Sequence, residues 1–348
     1  MKRTRRWLTL ILAGAILSGL MACGSKTEQP ATESPAPAEA EKDTGKETEQ
    51  PAESKGMKVG FLNYTDANDT PRKFHEGIED WCKANNAELL YVEAKGDAEG
   101  MMEACDNFIL QGVDIVIDSN WNLAGGSSLV QKCNDAGIPL ISLDTYYEGE
   151  NSYYVGIDNN EAGALAGEAA AKYIKKKFEG NVDYLVVSYS AALEGINVRT
   201  TNSLQGIRDA GIDLADESYF ELECGTGDAT QTAKQQLTDW LTAHPTGKVA
   251  VVAGNDEMSL GFQAAIESQN RGEDCIIISN GCDASSQTNI AAGNEVWVAA
   301  VDYMAYNYAE TAMPLAEKLV AGERPEEVMN YVAIRYIDGD NFAEFYGE

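Results

Sequence analysis

From residue 57 onward the chain alternates between short apolar runs and segments of helical periodicity. That alternation restricts the fold more than any other feature of the sequence. Runs of strand length bounded by turn residues read as buried strands, and apolar positions at i, i+4, i+7 and i+8 read as one face of a helix. Met57–Asn63, Leu89–Val92, Asp114–Asp118, Leu140–Leu143 and Tyr153–Ile157 are the first strands. Phe74, Ile78, Trp81 and Cys82, then Met101, Cys105, Phe108 and Ile109, then Leu129, Val130 and Cys133, mark the helices between them. Pro71 is placed at a first helical position, where its missing N–H matters little, and Gly112 suits a C-terminal cap. The pattern then repeats as helix 160–178, strand 182–188, helix 199–210, strand 217–222, helix 228–243, strand 248–253, helix 256–270, strand 275–279, helix 284–292 and strand 296–301. A long helix, Met304–Val320, and a final strand, Tyr331–Tyr336, follow. Strand–helix alternation predicts parallel sheets with right-handed crossovers. The length suits two such lobes rather than one.

The first residues do not fit that pattern. Lys2, Arg3, Arg5 and Arg6 precede an apolar run from Trp7 to Ala22. This is the layout of a secretory leader, and it is short of the ~20 apolar residues of a membrane span. Residues 1–22 are therefore expected to be a signal peptide. Leu20-Met21-Ala22-Cys23 resembles a bacterial lipobox, which makes Cys23 the expected lipidation site. The segment 23–56 holds several prolines among Glu, Thr, Ala and Lys, and after Cys23 no aromatic or large aliphatic residue. It cannot bury enough apolar surface to offset chain entropy, so it reads as a disordered acidic tether.

The formal net charge is −30. Removing the leader deletes basic residues only and makes the chain more acidic still. Such a surface repels nucleic acid and anionic lipid. No Cys–x–x–Cys pair or Cys/His metal spacing occurs among Cys82, Cys105, Cys133, Cys224, Cys275 and Cys282. Three of these fall on apolar helix faces, so buried free thiols are expected. His75 and His244 are the only histidines and read as surface or capping residues. No nucleophile elbow, phosphate loop or zinc-protease motif is present. The sequence therefore points to a binding protein rather than an enzyme, with no cofactor and no metal.

Open α/β sheets bind ligands just beyond the C-terminal ends of their strands. Val249–Ala253 runs into Gly254-Asn255-Asp256 and then a helix with Met258, Phe262, Ala265 and Ile266 on one face. Asp256 is expected to cap that helix, leaving Asn255 free at the strand end.

Several motifs, in order, carry a family resemblance. They are Ser152-Tyr153-Tyr154-Val155-Gly156-Ile157-Asp158 with Glu161-Ala162-Gly163, Val198-Arg199-Thr200-Thr201, Gly227-Asp228-Ala229-Thr230 through Asp239-Trp240-Leu241, Val251–Gly261, and Asp340–Phe345. The chain resembles type I periplasmic sugar-binding proteins of the galactose/glucose- and ribose-binding kind. That resemblance implies an α/β fold of two Rossmann-like lobes joined by a three-strand hinge, with the solute held between them. It divides the chain into 57–156 plus 303–330 and 157–302 plus 331–348. It also implies a monomeric lipoprotein, held to the membrane only by its lipid, that hands a sugar or sugar-like solute to an ABC permease. The rival reading is a receptor that passes its closed form to a sensor. A sugar-responsive transcription regulator would need a basic helix-turn-helix module where this chain has its leader and tether.

Carried onto this sequence, the family's solute-contacting positions are Asn68, Asp144, Arg199, Asn255, Asp283 and Asp302. An Arg fork and charged acceptors suit neighbouring hydroxyls. The departures are informative. The two aromatic platforms map to Thr70 and Gly227, and the polar pair before the Arg maps to Leu193 and Gly195. A basic residue expected after Asp144 is Thr145, and the calcium loop is missing between Lys177 and Tyr184. Trp121 and Tyr189 are the expected replacement platforms, with Tyr64, Tyr146 and Tyr303 in nearby loops.

Overall fold

The computed structural model describes residues 56–191, 195–225 and 229–347. The expected leader, Cys23 and nearly all of the tether lie outside the described residues, as do Leu193 and Gly227. Among the described residues, no helix is long and apolar enough to cross a membrane.

The first sheet is built from β1 (Lys58–Asn63), β2 (Glu88–Glu93), β3 (Ile115–Ser119), β4 (Leu140–Leu143) and β5 (Ser152–Gly156). Helices α1 (Asp69–Ala84), α2 (Ala98–Gln111) and α3 (Leu123–Asp135) connect the first four. Both faces of this sheet are covered. On β3, Ile115 and Ile117 pack with Phe74 and Ile78 of α1, while Val116 packs with Cys105 of α2 and Leu129 of α3. Two buried faces explain why the strands read as continuous apolar runs. Asp118 is the exception on the α2/α3 side. It is buried, and among the described residues neither its carboxylate oxygens nor the neighbouring Tyr147 hydroxyl finds a partner in good hydrogen-bond geometry. Burial pushes its pKa up to about 7, and Tyr147 only partly offsets this.

The second lobe begins with α4 (Asn159–Phe178) and continues through β6 (Tyr184–Tyr189), α5 (Val198–Thr201), α6 (Ser203–Asp209), β7 (Tyr219–Glu223), α7 (Ala229–Ala243), β8 (Val249–Val252), α8 (Asp256–Ser268), β9 (Cys275–Gly281), α9 (Ala284–Ala291) and β10 (Trp297–Asp302). The small residues of α4 have a packing reason. Ala162, Ala166, Ala169 and Ala170 are buried, and at the crossing with α6 a Cβ on Gly167 would lie 2.5 Å from the Ser203 carbonyl oxygen. The expected helix 199–210 is divided at Asn202.

The chain then crosses back, and α10 (Tyr308–Val320) packs on α1 and β5 of the first lobe. The expected final strand 331–336 is the clearest correction to the sequence reading. It is two strands in two sheets: β11 (Met329–Tyr331) beside β5, and β12 (Arg335–Asp338) beside β10, before the short α11 (Phe342–Tyr346). The sheet orders are β11-β5-β4-β3-β1-β2 and β12-β10-β9-β8-β6-β7. Among the described residues all pairings are parallel except β10–β12. That exception follows from the path. The chain leaves β11 at the interlobe end of the first sheet, enters the second sheet from that same end, and so runs against its neighbours.

All six cysteines among the described residues are buried and unbridged. The histidines are more enclosed than expected. His75 stacks on Tyr91 with centroids 3.6 Å apart, and His244 on Trp240 at 4.1 Å.

Candidate solute site between the lobes

In each sheet the strand order reverses beside the first strand of its lobe, between β1 and β3 and between β6 and β8. Crevices at such reversals are where open α/β sheets hold ligands. The two crevices face each other across a cavity of about 200 Å³. That is below the ~300–1,000 Å³ typical of drug-sized sites, and it suits a compact solute. Both lobes line it, chiefly through residues just past strand ends: Asn68, Trp121 and Asp144 from the first, Tyr189, Asn255 and Asp283 from the second. Arg199, on α5, completes the wall.

The lobes touch on both sides of this cavity. Nearer the hinge, Arg199 Nη2 donates to Asp144 Oδ2 at 3.1 Å, and both residues are under one-tenth exposed. Arg199 Nε donates to Asn159 Oδ1 at 2.8 Å, and its guanidinium lies 5.2 Å from the Tyr303 ring centre. Burial works against the guanidinium charge, but Tyr303, Asp144 and Tyr154 together outweigh it and hold the pKa above its ordinary value. Tyr308 donates its hydroxyl to the other Asp144 oxygen at 3.3 Å. Asp144 itself adopts φ 60°, a left-handed conformation that Asp tolerates better than most residues.

At the mouth, Asn68 Nδ2 donates to Glu257 Oε1 at 2.5 Å and the Thr70 hydroxyl donates to Asp283 Oδ1 at 3.0 Å. Lys73 stands 3.8 Å from the same Asp283 oxygen. Burial, partly countered by Lys73, raises the Asp283 pKa. Burial and the Asp283 charge raise that of Asp256.

The expected roles of Asn255 and Asp256 are exchanged. Asn255 is the N-cap of α8, and its Oδ1 accepts from Met258 N at 2.8 Å. Asp256 is buried, accepting from the Ser286 hydroxyl at 2.5 Å and from the Asp283 backbone N–H. It ties α8 to the turn before α9. Asn255 still lines the cavity, with its amide N–H groups uncommitted among the described residues. Asp302 is a second correction. It does not line the cavity. Its carboxylate accepts two guanidinium hydrogen bonds from Arg335, at 3.2 and 3.0 Å, and one from Met304 N at 2.8 Å. It braces the second and third crossings to each other.

Trp121 lines the cavity as a fixed plate. Its Nε1 donates to the Leu143 carbonyl at 3.1 Å, and its ring stacks on Tyr64 at 5.6 Å. Thr70, at a former platform position, is a latch residue instead. Sequence reasoning missed Ser190, whose buried hydroxyl has no partner among the described residues and which lines the cavity. It also missed Asn197, whose amide holds Ser190 in place through bonds of 3.0 and 2.8 Å. The usable signal was position alone, since Ser190 is the first residue beyond β6.

Fold and cavity together define a two-lobed clamp that closes on a small solute. Residues 59–324 match the family described as the periplasmic binding protein domain, and the chain belongs to that family. Its members are binding proteins that work outside the cytoplasm. The chain is 26% identical to the D-ribose/D-allose-binding protein of Pseudomonas aeruginosa, over 73% of this chain and 80% of that protein. It is 27% identical to the ribose import binding protein of Bacillus subtilis, over 64% and 68%. A solved ABC transporter periplasmic solute-binding protein from Actinobacillus succinogenes, with bound D-allose, superposes with a TM-score of 0.69 at 20% identity, covering 83% of this chain and all of that one.

Proposed function

We propose that this chain captures a sugar or polyol outside the cytoplasm and delivers it to an ABC permease, as a lipoprotein anchored through Cys23 and spaced from the membrane by residues 23–56. The observation that carries the reading is the interlobe cavity, whose walls pair an Arg fork with carboxylates and amides. Hydroxyl pairs on a small ring match that set. We assign solute contact to Asn68, Asp144, Arg199, Asn255 and Asp283, with Trp121 and Tyr189 as apolar plates and Ser190 as a further hydroxyl. A solute held by both lobes binds the closed form better than the open one and shifts the population toward it.

The test is a thermal-shift panel of pentoses, hexoses, disaccharides, polyols and nucleosides. A true ligand at ~100-fold its Kd adds about 2.7 kcal/mol. Arg199→Ala and Asn255→Ala are expected to abolish that shift. A panel in which no carbohydrate or polyol stabilises the chain would falsify the assignment.

A further inference from the structure

A second chamber of about 320 Å³ lies on the hinge side of the Asp144–Arg199 pair. Like the cleft cavity, it is lined by both lobes. The two chambers share Asp144, Thr145 and Ile196 as wall residues. We propose that this chamber is a second subsite for a neutral, polyhydroxylated ring.

Its chemistry is what such a ring requires. Tyr154 and Tyr331 meet edge to face with centroids 6.1 Å apart, and Tyr146 is a further lining residue. Tyr154 is fully committed, its hydroxyl donating to the Ile157 carbonyl at 2.8 Å. Tyr331 is 52% exposed, an unusual state for a large aromatic on a hinge strand. Its ring offers an apolar face for ring C–H groups, as aromatic side chains with one wet edge do at binding surfaces. Polar capacity stands beside it. Asn159 gives its Oδ1 to Arg199 at 2.8 Å and keeps its amide N–H groups as donors. Asp158, which caps α4, accepts from Asn160 N at 2.8 Å and retains further acceptor capacity. Among the described residues no cationic side chain lines the chamber, whereas Asp144 and Asp158 do, which disfavours an anionic occupant.

The location makes the subsite consequential. Residues 157–158 form the first interlobe crossing and β11 leads into the third, so an occupant touches hinge and both lobes at once. Asn159 holds the arginine that bridges the cleft, and an occupant bonded to Asn159 supports the closed arrangement. Closure of one chamber therefore favours filling of the other, and the coupling must be reciprocal. The ring can come from two sources: a separate small solute, or the second unit of a longer one whose first ring fills the cleft.

This inference rests on the proposed function, and the experiment separates their failures. Calorimetric titrations of the chain with D-ribose, D-xylose, D-glucose, myo-inositol, cellobiose and trehalose are compared with those of Tyr331→Ala and Leu123→Trp. The first variant removes the exposed platform, and the second fills the chamber from the half-exposed start of α3. A separate solute shows as a molar ratio for a monosaccharide or inositol that is double that of either variant. A two-ring solute shows as a disaccharide bound about tenfold or more tighter than its monomer, with the gain lost in both variants. Single-site binding with no disaccharide gain, unchanged in both variants, overturns the subsite and leaves the cleft assignment standing. Absence of all binding removes both.

Discussion

The two interlobe contacts differ in kind. Near the hinge, Arg199 and Asp144 are buried, and each has additional partners in Asn159 and Tyr308. At the mouth, Lys73 and Asp283 are 24% and 20% exposed and 3.8 Å apart, alongside an exposed Asn68–Glu257 bond. A buried pair is not worth much relative to an apolar replacement, but losing one partner strands a desolvated charge. A partly exposed pair is screened by water and salt. The hinge-side contact is thus hard to break and insensitive to salt, whereas the mouth can open readily. A clamp with that division pivots about its inner contact and admits solute at its outer edge.

The largest expected effect is on Arg199→Ala, which leaves Asp144 buried and unpaired. Urea unfolding is expected to show a loss of about 3–5 kcal/mol. The double variant Asp144→Leu with Arg199→Met recovers most of that stability while remaining unable to bind solute. If single and double variants are equally stable, the inner contact is not the buried pair described.

The next effect distinguishes the cleft from the sheet interior. Asp118 has its folded pKa raised from 3.8 to about 7. The folded state then binds more protons than the unfolded one between those values, so stability falls as pH rises through that window. At about 1.4 kcal/mol per unit the full loss is roughly 4 kcal/mol. Asp118→Asn is expected to flatten this slope and raise the melting temperature at pH 8, with no change in solute affinity. Asp256 and Asp283 share the sign. In the Asp118→Asn background, Asp283→Asn should remove part of the remaining slope and also weaken binding. An Asp118→Asn chain with an undiminished slope would assign the effect wholly to the mouth.

The smallest effect is at the mouth. Lys73→Ala is expected to change stability by only about 0–1 kcal/mol. It should instead raise the fraction of open molecules seen by small-angle scattering, and added salt should reproduce that shift in the unsubstituted chain. A salt-independent scattering profile would contradict the proposed difference between the two contacts.

Much of this was legible beforehand, for local reasons. Strand and helix periods are written into neighbouring residues, and the family motifs placed Arg199, Asp144 and Asn255 near a cleft that they do line. Asn255 and Asp256 were misread because both are good caps and adjacent. Which one turns inward depends on Ser286 and Asp283, a strand and a turn away. Asp302 was misread because its partner, Arg335, lies beyond the third crossing.

The sequence by itself determined the alternating elements, the two-lobe plan and the polar residues that end the strands, because burial on both sheet faces leaves a local apolar signature. Tertiary structure alone decided that 329–338 serves two sheets, that Arg199 reaches across to Asp144, and that a second chamber lies behind that pair. Each of these joins residues far apart in the chain, where side-chain geometry and desolvation, rather than local pattern, select the partner.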